Sequence, residues 1–234
     1  MNDPLVALGL YLVFLVSVTL HEAAHAWAAM RGGDLTAYQG GQVSLDPRPH
    51  IRREPVGMVL LPLVSVSISG FPFGFASTPF DPAWAALHPR RAAWMALAGP
   101  GANLAMMLVA VALIRLGVGL GQLEAPDQIL FSQIAVATAA GNGADAFWAQ
   151  GLSAVLSLNL ILFLLNMLPL PPFDGASALP LLLPARWNDA YQGFLRRPMF
   201  GWVGILLAWH FFGEIYGPCL LFVVSLLYPD VGYG

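Results

Sequence analysis

Lysine is absent from this chain, and charge of any kind is scarce: 10% of its 234 residues are charged, against 58% hydrophobic. A water-soluble domain carries about 25% charged residues, so this composition excludes an ordinary soluble fold and indicates a polytopic membrane protein. The formal net charge is −3, which gives no footprint for a nucleic-acid partner. Cysteine is nearly missing: Cys219 stands alone, excluding an intrachain disulfide and a thiolate-rich zinc cluster. The opening Met-Asn-Asp-Pro lacks a basic region, so no cleavable signal peptide is expected. Repeats, low-complexity tracts and any polar stretch sized for an appended soluble domain are also lacking. The chain therefore reads as one membrane domain over 1–234, with a core at 5–180 and a C-terminal transmembrane segment at 199–228.

What is present is a set of five apolar segments, at roughly 5–30, 56–75, 92–117, 150–168 and 199–228. A helix through Leu5–Met30 would be roughly 39 Å long, more than a bilayer core of about 30 Å. The expected fold class is an all-α helical transmembrane bundle. Suppose the first, third, fourth and fifth segments cross while 56–75 enters and leaves on one side. Arg31, Arg48, Arg52, Arg53, Arg90, Arg91, Arg186, Arg196 and Arg197 then share one compartment, which the positive-inside rule makes the cytosol. A full crossing at 56–75 would divide these arginines, so a re-entrant segment after the first helix is expected. Tyr38 to Leu45, with its alternating Gln-Val-Ser-Leu, suggests a small membrane-associated β element. Leu116 to Gln150 holds five glycines and no basic residue, as an external loop would.

The chemistry starts with His21-Glu22-Ala23-Ala24-His25 inside the first apolar run. Two histidines four apart share a helix face and can hold one metal ion, and the Glu between them can take a proton from an activated water. In a soluble helix this pattern is often only a polar face; within a membrane span each ionisable group raises the insertion cost. Imidazole ligands favour zinc, and a catalytic zinc takes three protein ligands. Asp174 is the favoured third, because Pro169, Pro171 and Pro172 end the fourth apolar helix just before it and Gly175 permits a sharp turn. An ordinary Asp-Gly turn is the plain alternative there, and Asp46, Asp81, Glu54 and Glu124 are competing ligands in loops. Ala98-Gly99-Pro100-Gly101-Ala102-Asn103 lets helices approach closely, and Pro100 frees backbone groups for a neighbour. A packing kink explains its small residues but not Asn103, since an amide in an apolar helix needs a partner. His210 and Glu214 suggest a helix break near the interface, and His50 and His88 read as solvated loop residues.

Taken in order, His21–His25, Gly99–Asn103 and Asn166–Gly175 resemble the three motifs of the site-2 protease family of intramembrane zinc metalloproteases. The likeness covers about residues 5–180 and extends to Phe71-Pro-Phe-Gly-Phe-Ala. It implies one zinc held by His21, His25 and Asp174, with Glu22 as general base and acid. It implies transmembrane proteins as substrates, cleaved within the bilayer, and a substrate-positioning or carbonyl-polarising role for Asn166 and Asn103. A helical substrate would have to unwind, and the stretch Gln42–Leu45 is expected to receive it by edge pairing. The setting implied is a prokaryotic cytoplasmic membrane with the site towards the cytosol. The alternatives are a divalent-metal transporter using the same cluster, and a non-proteolytic membrane scaffold; an intact Glu22 argues for the protease.

Overall fold

The computed structural model of the protein describes residues 4–195 and 197–233; Arg196 of the expected cytosolic set lies outside them. Helix α1 (Pro4–Gly32) is an apolar run with its proline in the first turn, where a missing N–H breaks no bond. Two short helices follow, α2 (Thr36–Gln39) and α3 (Pro47–Arg53). Then come α4 (Val56–Ser69), which opens with a π-helical turn, α5 (Pro82–Leu87) and the long α6 (Pro89–Gly119). Beyond α6, β1 (Leu123–Glu124) pairs antiparallel with β2 (Val136–Ala137). Helix α7 (Gly143–Asn166), the short α8 (Asp174–Ala178) and α9 (Asn188–Leu195), and α10 (Pro198–Leu227) complete the order.

Among the described residues, α1, α6, α7 and α10 are long and apolar enough to cross a membrane. Helices α1, α6 and α7 pack on one another, and α4 lies against α1. Phe14 and Val18 of α1, Met58 of α4 and Leu158 of α7 form one buried cluster. Met107 and Ile114 of α6, Leu156 and Leu160 of α7, and Val224 and Leu227 of α10 form another, roofed by Leu123 and Ile134 of the β-bearing loop.

Helix α4 has the re-entrant shape expected of 56–75. Its 14 residues reach about 21 Å, short of a bilayer core of about 30 Å. The chain then turns at left-handed Gly70 and runs back in extended form, with Phe73 N–H donating to Ser65 Oγ (2.7 Å) and Phe75 N–H to Gly57 O (3.1 Å). Its two ends meet where Arg53 Nε donates to Ser77 O (3.0 Å) and Ser77 Oγ donates to Glu54. The return leg finishes at Asp81, whose N–H donates to Asp34 just past α1 (2.8 Å).

Three local expectations change. Residues 38–45 form no strand: Asp34 accepts from both the N–H and the hydroxyl of Thr36, starting the helical turn of α2, and Gln42 N–H closes back on Ala37 O. Backbone groups spent in that turn cannot form a ladder, so the β element lies at β1–β2 and Gln42–Leu45 offers no edge. His50 is buried, its Nε2 donating to Ser44 O (3.1 Å). Helix α10 continues past His210, Glu214 and Pro218, so no helix break marks that stretch.

Candidate metal centre

His21 and His25 share one face of α1, about 16 and 10 Å of helix from its end at Gly32. Asp174 reaches them from the start of α8, which packs against α6. The chain between α7 and α8 is a series of turns. Gly175 serves there through close approach, because a β-carbon would strike the carbonyls of Met167 and Leu168.

His21 Nε2 and His25 Nε2 stand 3.0 Å apart, and Asp174 Oδ2 lies 3.2 Å from each. Ligands on a tetrahedral zinc, at about 2.0–2.1 Å from the ion, are about 3.3 Å from one another. The triangle fits one such ion. Both outer ring nitrogens are engaged: His25 Nδ1 donates to Met95 O (2.7 Å) and His21 Nδ1 to Asn103 Oδ1 (2.6 Å). With the ring protons there, both neutral imidazoles turn bare Nε2 lone pairs towards the carboxylate. Three acceptors facing inward lack a donor, and a cation supplies what the cluster needs.

Gly99 closes the third side. A β-carbon on it would overlap His25 Nε2 and stand 2.6 Å from His21 Nε2, so its bare α-carbon leaves the space an ion would fill. Glu22 is buried between the histidines in sequence, and its Oε2 accepts from the Thr78 hydroxyl (2.7 Å) on the return leg after α4.

The remaining candidates separate. Asp46 and Asp81 cap α3 and α5, Glu54 accepts from Ser77, and Glu124 sits in β1. Asn103 is fully buried with its oxygen on His21 and its Nδ2 on Asn159 Oδ1 (2.9 Å), so both ends of its amide are taken by protein. Asn166 ends α7 half-buried and makes no side-chain hydrogen bond among the described residues. Thr78, Asn159 and the Met95 carbonyl were not singled out from sequence; only Asn159, an amide in an apolar run, carried a signal. Among the described residues, His21, His25 and Asp174 are the one group of three metal-capable side chains whose ligand atoms lie together.

Comparison with known proteins agrees in kind. Residues 9–196 match the family described as Peptidase family M50. The chain is 31% identical over 176 residues to "Putative zinc metalloprotease YwhC" of Bacillus subtilis, covering 75% of this chain and 69% of that protein. It is 31% identical over 187 residues to "Putative zinc metalloprotease Rip2" of Mycobacterium tuberculosis, covering 78% and 62%. The Rip2 of Mycolicibacterium smegmatis is 26% identical over 180 residues, covering 75% and 59%. This chain thus spans about two thirds of the length of the curated relatives it matches. No solved structure gives a significant match.

Proposed function

The chain belongs to peptidase family M50, and from that premise we propose that it is an integral membrane zinc metalloendopeptidase that hydrolyses peptide bonds in or near transmembrane helices of protein substrates. The observation that carries the reading is the inward-facing triangle of His21, His25 and Asp174 at zinc-ligand spacing, with buried Glu22 beside it. In the proposed scheme those three side chains hold the ion. Zinc, when bound, supplies Lewis acidity that polarises a carbonyl and brings water towards neutral pKa. Glu22 accepts the proton of the attacking water and delivers it to the departing amide nitrogen, so carboxylic acid and amine products balance the added water. Thr78 aims the Glu22 carboxylate by its hydroxyl. Asn103 acts on His21 rather than on substrate, and Asn166, whose side chain is uncommitted, is the residue left to meet a substrate carbonyl. A substrate helix must first unwind, since its carbonyls are otherwise spent on its own N–H groups. The arginine-bearing end of the bundle faces the cytosol of a prokaryotic cell, which puts the site nearer that side.

The test is cleavage of a panel of single-pass helices by detergent-purified protein, together with elemental analysis. Glu22→Gln is expected to keep one zinc per chain and lose at least about 100-fold in cleavage rate. Wild-type rates in Glu22→Gln, or wild-type protein isolated without zinc and unable to take it up, would overturn the assignment.

A further inference from the structure

We propose that Asn159, deep in α7, is a positioning residue that decides which ring nitrogen of His21 carries the proton. The inference rests on the metal-site reading above, but its logic starts from a backbone carbonyl. Val155 O can only accept, so the Asn159 atom 2.9 Å from it is Nδ2. The other hydrogen of that amide points to Ser17 Oγ on α1 (3.0 Å). Asn159 Oδ1 is therefore the atom facing α6, and the Asn103 atom 2.9 Å away must be its donor, Nδ2. This turns Asn103 Oδ1 towards His21 at 2.6 Å, where it accepts from Nδ1–H. A neutral imidazole protonated at Nδ1 is bare at Nε2, the atom that faces His25 and Asp174.

Each step is forced by the one before it, and nothing outside the chain competes. Asn103, Asn159 and Ser17 are all at 0% exposure. Reversing either amide would oppose two donors or two acceptors in a dry interior, each mismatch costing a buried group its partner. The two histidines reach the same state by different routes. His25 is fixed directly by the carbonyl of Met95, and His21 is fixed by the carbonyl of Val155 through two amides spanning three helices.

Without the Asn159 amide, Asn103 is free to turn over and present Nδ2 to His21. Nδ1 then accepts, the proton moves to Nε2, and that nitrogen can no longer take an ion. Partners one bond removed from a metal ligand typically set about 10–100-fold in affinity. Asn159 acts through Asn103, so about tenfold is expected.

The experiment uses full-length protein in detergent, with histidine ring nitrogens isotopically labelled and zinc removed. Ring-nitrogen NMR reads the tautomer of His21, and competition with a chelator reads the affinity for Zn2+. Asn159→Leu keeps the branched framework without the polar atoms and is expected to show the Nε2–H tautomer and about tenfold weaker zinc binding. Asn159→Ala gives the same reading should the Leu variant not fold. Asn159→Asp, as the neutral acid whose hydroxyl donates to Val155 O, keeps an acceptor for Asn103 Nδ2 and is expected to retain the wild-type tautomer and affinity. Ser157→Ala, a buried hydroxyl on the same helix outside the relay, controls for simple loss of packing and is expected to change neither. A folded Leu or Ala variant with the wild-type tautomer overturns the proposal, as does an Asp variant as impaired as Leu. Protein that takes up no zinc but keeps the tautomer pattern defeats the metal reading and leaves the relay standing.

Discussion

At the scale of single residues, the centre depends as much on an atom that is missing as on those present. Gly99 faces the Nε2 atoms of both histidines without a side chain, and a β-carbon would sit in the space between them. Gly99→Ala is therefore expected to weaken zinc binding at least about tenfold, a larger effect than any ordinary Gly-to-Ala change in a helix. Elemental analysis of the purified variant checks it, and a full equivalent of zinc in the Ala protein contradicts it. Thr78 provides a second case. Its hydroxyl bonds a carboxylate, an interaction worth about 1.5–3 kcal/mol, so Thr78→Val is expected to lower kcat about 10–100-fold with zinc content unchanged. Equal losses in metal and in rate would instead mean that Thr78 supports the fold. The legibility of these residues follows their chemistry. His21, Glu22 and His25 stand out because ionisable groups in an apolar run demand a reason, and Asp174 because three prolines stop a helix just before it. Asn159 carried the same signal as Asn103 but lay in no recognisable motif. Thr78 is an ordinary loop residue until the return leg brings it to Glu22, and the Met95 carbonyl has no side-chain signature at all.

At the scale of elements, length and polarity decided most of what could be read. Long apolar runs became α1, α6, α7 and α10, and the run too short to cross became α4 and its return leg. The strand expected at 38–45 failed because side-chain turn chemistry outweighed an alternating pattern only four residues long. The residue responsible, Asp34, also latches the return leg. Its Oδ1 accepts from Thr36 N–H (2.9 Å) and hydroxyl (2.6 Å), and its Oδ2 from Asp81 N–H (2.8 Å). Burial would push the Asp34 carboxyl up, but these donors hold it below its ordinary value. A carboxylate so depressed stabilises the fold fully above about pH 4 and loses that contribution as pH falls through its folded value. Asp34→Asn turns an NH2 towards one of the donors and is expected to lower stability by about 1–3 kcal/mol at pH 7. Thermal unfolding of both proteins at pH 7 and near pH 3 should show the gap narrowing in acid. A gap that widens there would mean the carboxylate does not carry the latch.

At the scale of the whole molecule, the arrangement of charge argues for the proposed orientation, and the geometry makes it testable. Arg31 ends α1, and Arg90 and Arg91 begin α6 beside it, with Arg91 donating to Gly32 O (3.1 Å). Arg48, Arg52 and Arg53 lie in or beside α3 at the mouth of the re-entrant segment, where Arg53 bonds Ser77. Arg186 and Arg197 lie in the connection that follows α7, whose Pro180 and Leu183 line one cavity with Arg90 and Arg91. Among the described arginines, Arg115 alone lies at the other end, its Nη1 donating to Leu227 O at the close of α10 (2.7 Å). In the orientation proposed from the positive-inside rule, the β1–β2 loop lies outside and both flanks of α4 lie inside. Because Cys219 is the only thiol, Cys219→Ser gives a background on which single cysteines report sidedness. Leu45 precedes the re-entrant segment, Leu87 follows it, and Ala139 lies in the β-bearing loop; all three are exposed. With a membrane-impermeant thiol reagent on intact bacteria, Ala139→Cys is expected to label, while Leu45→Cys and Leu87→Cys label only after permeabilisation. Labelling of Leu45→Cys and Leu87→Cys from opposite sides would turn α4 into a crossing. Asp174 would then be carried to the membrane face opposite the one nearest His21 and His25, and the three ligands could not share an ion. Sidedness at two exposed leucines therefore bears directly on whether the metal centre can form.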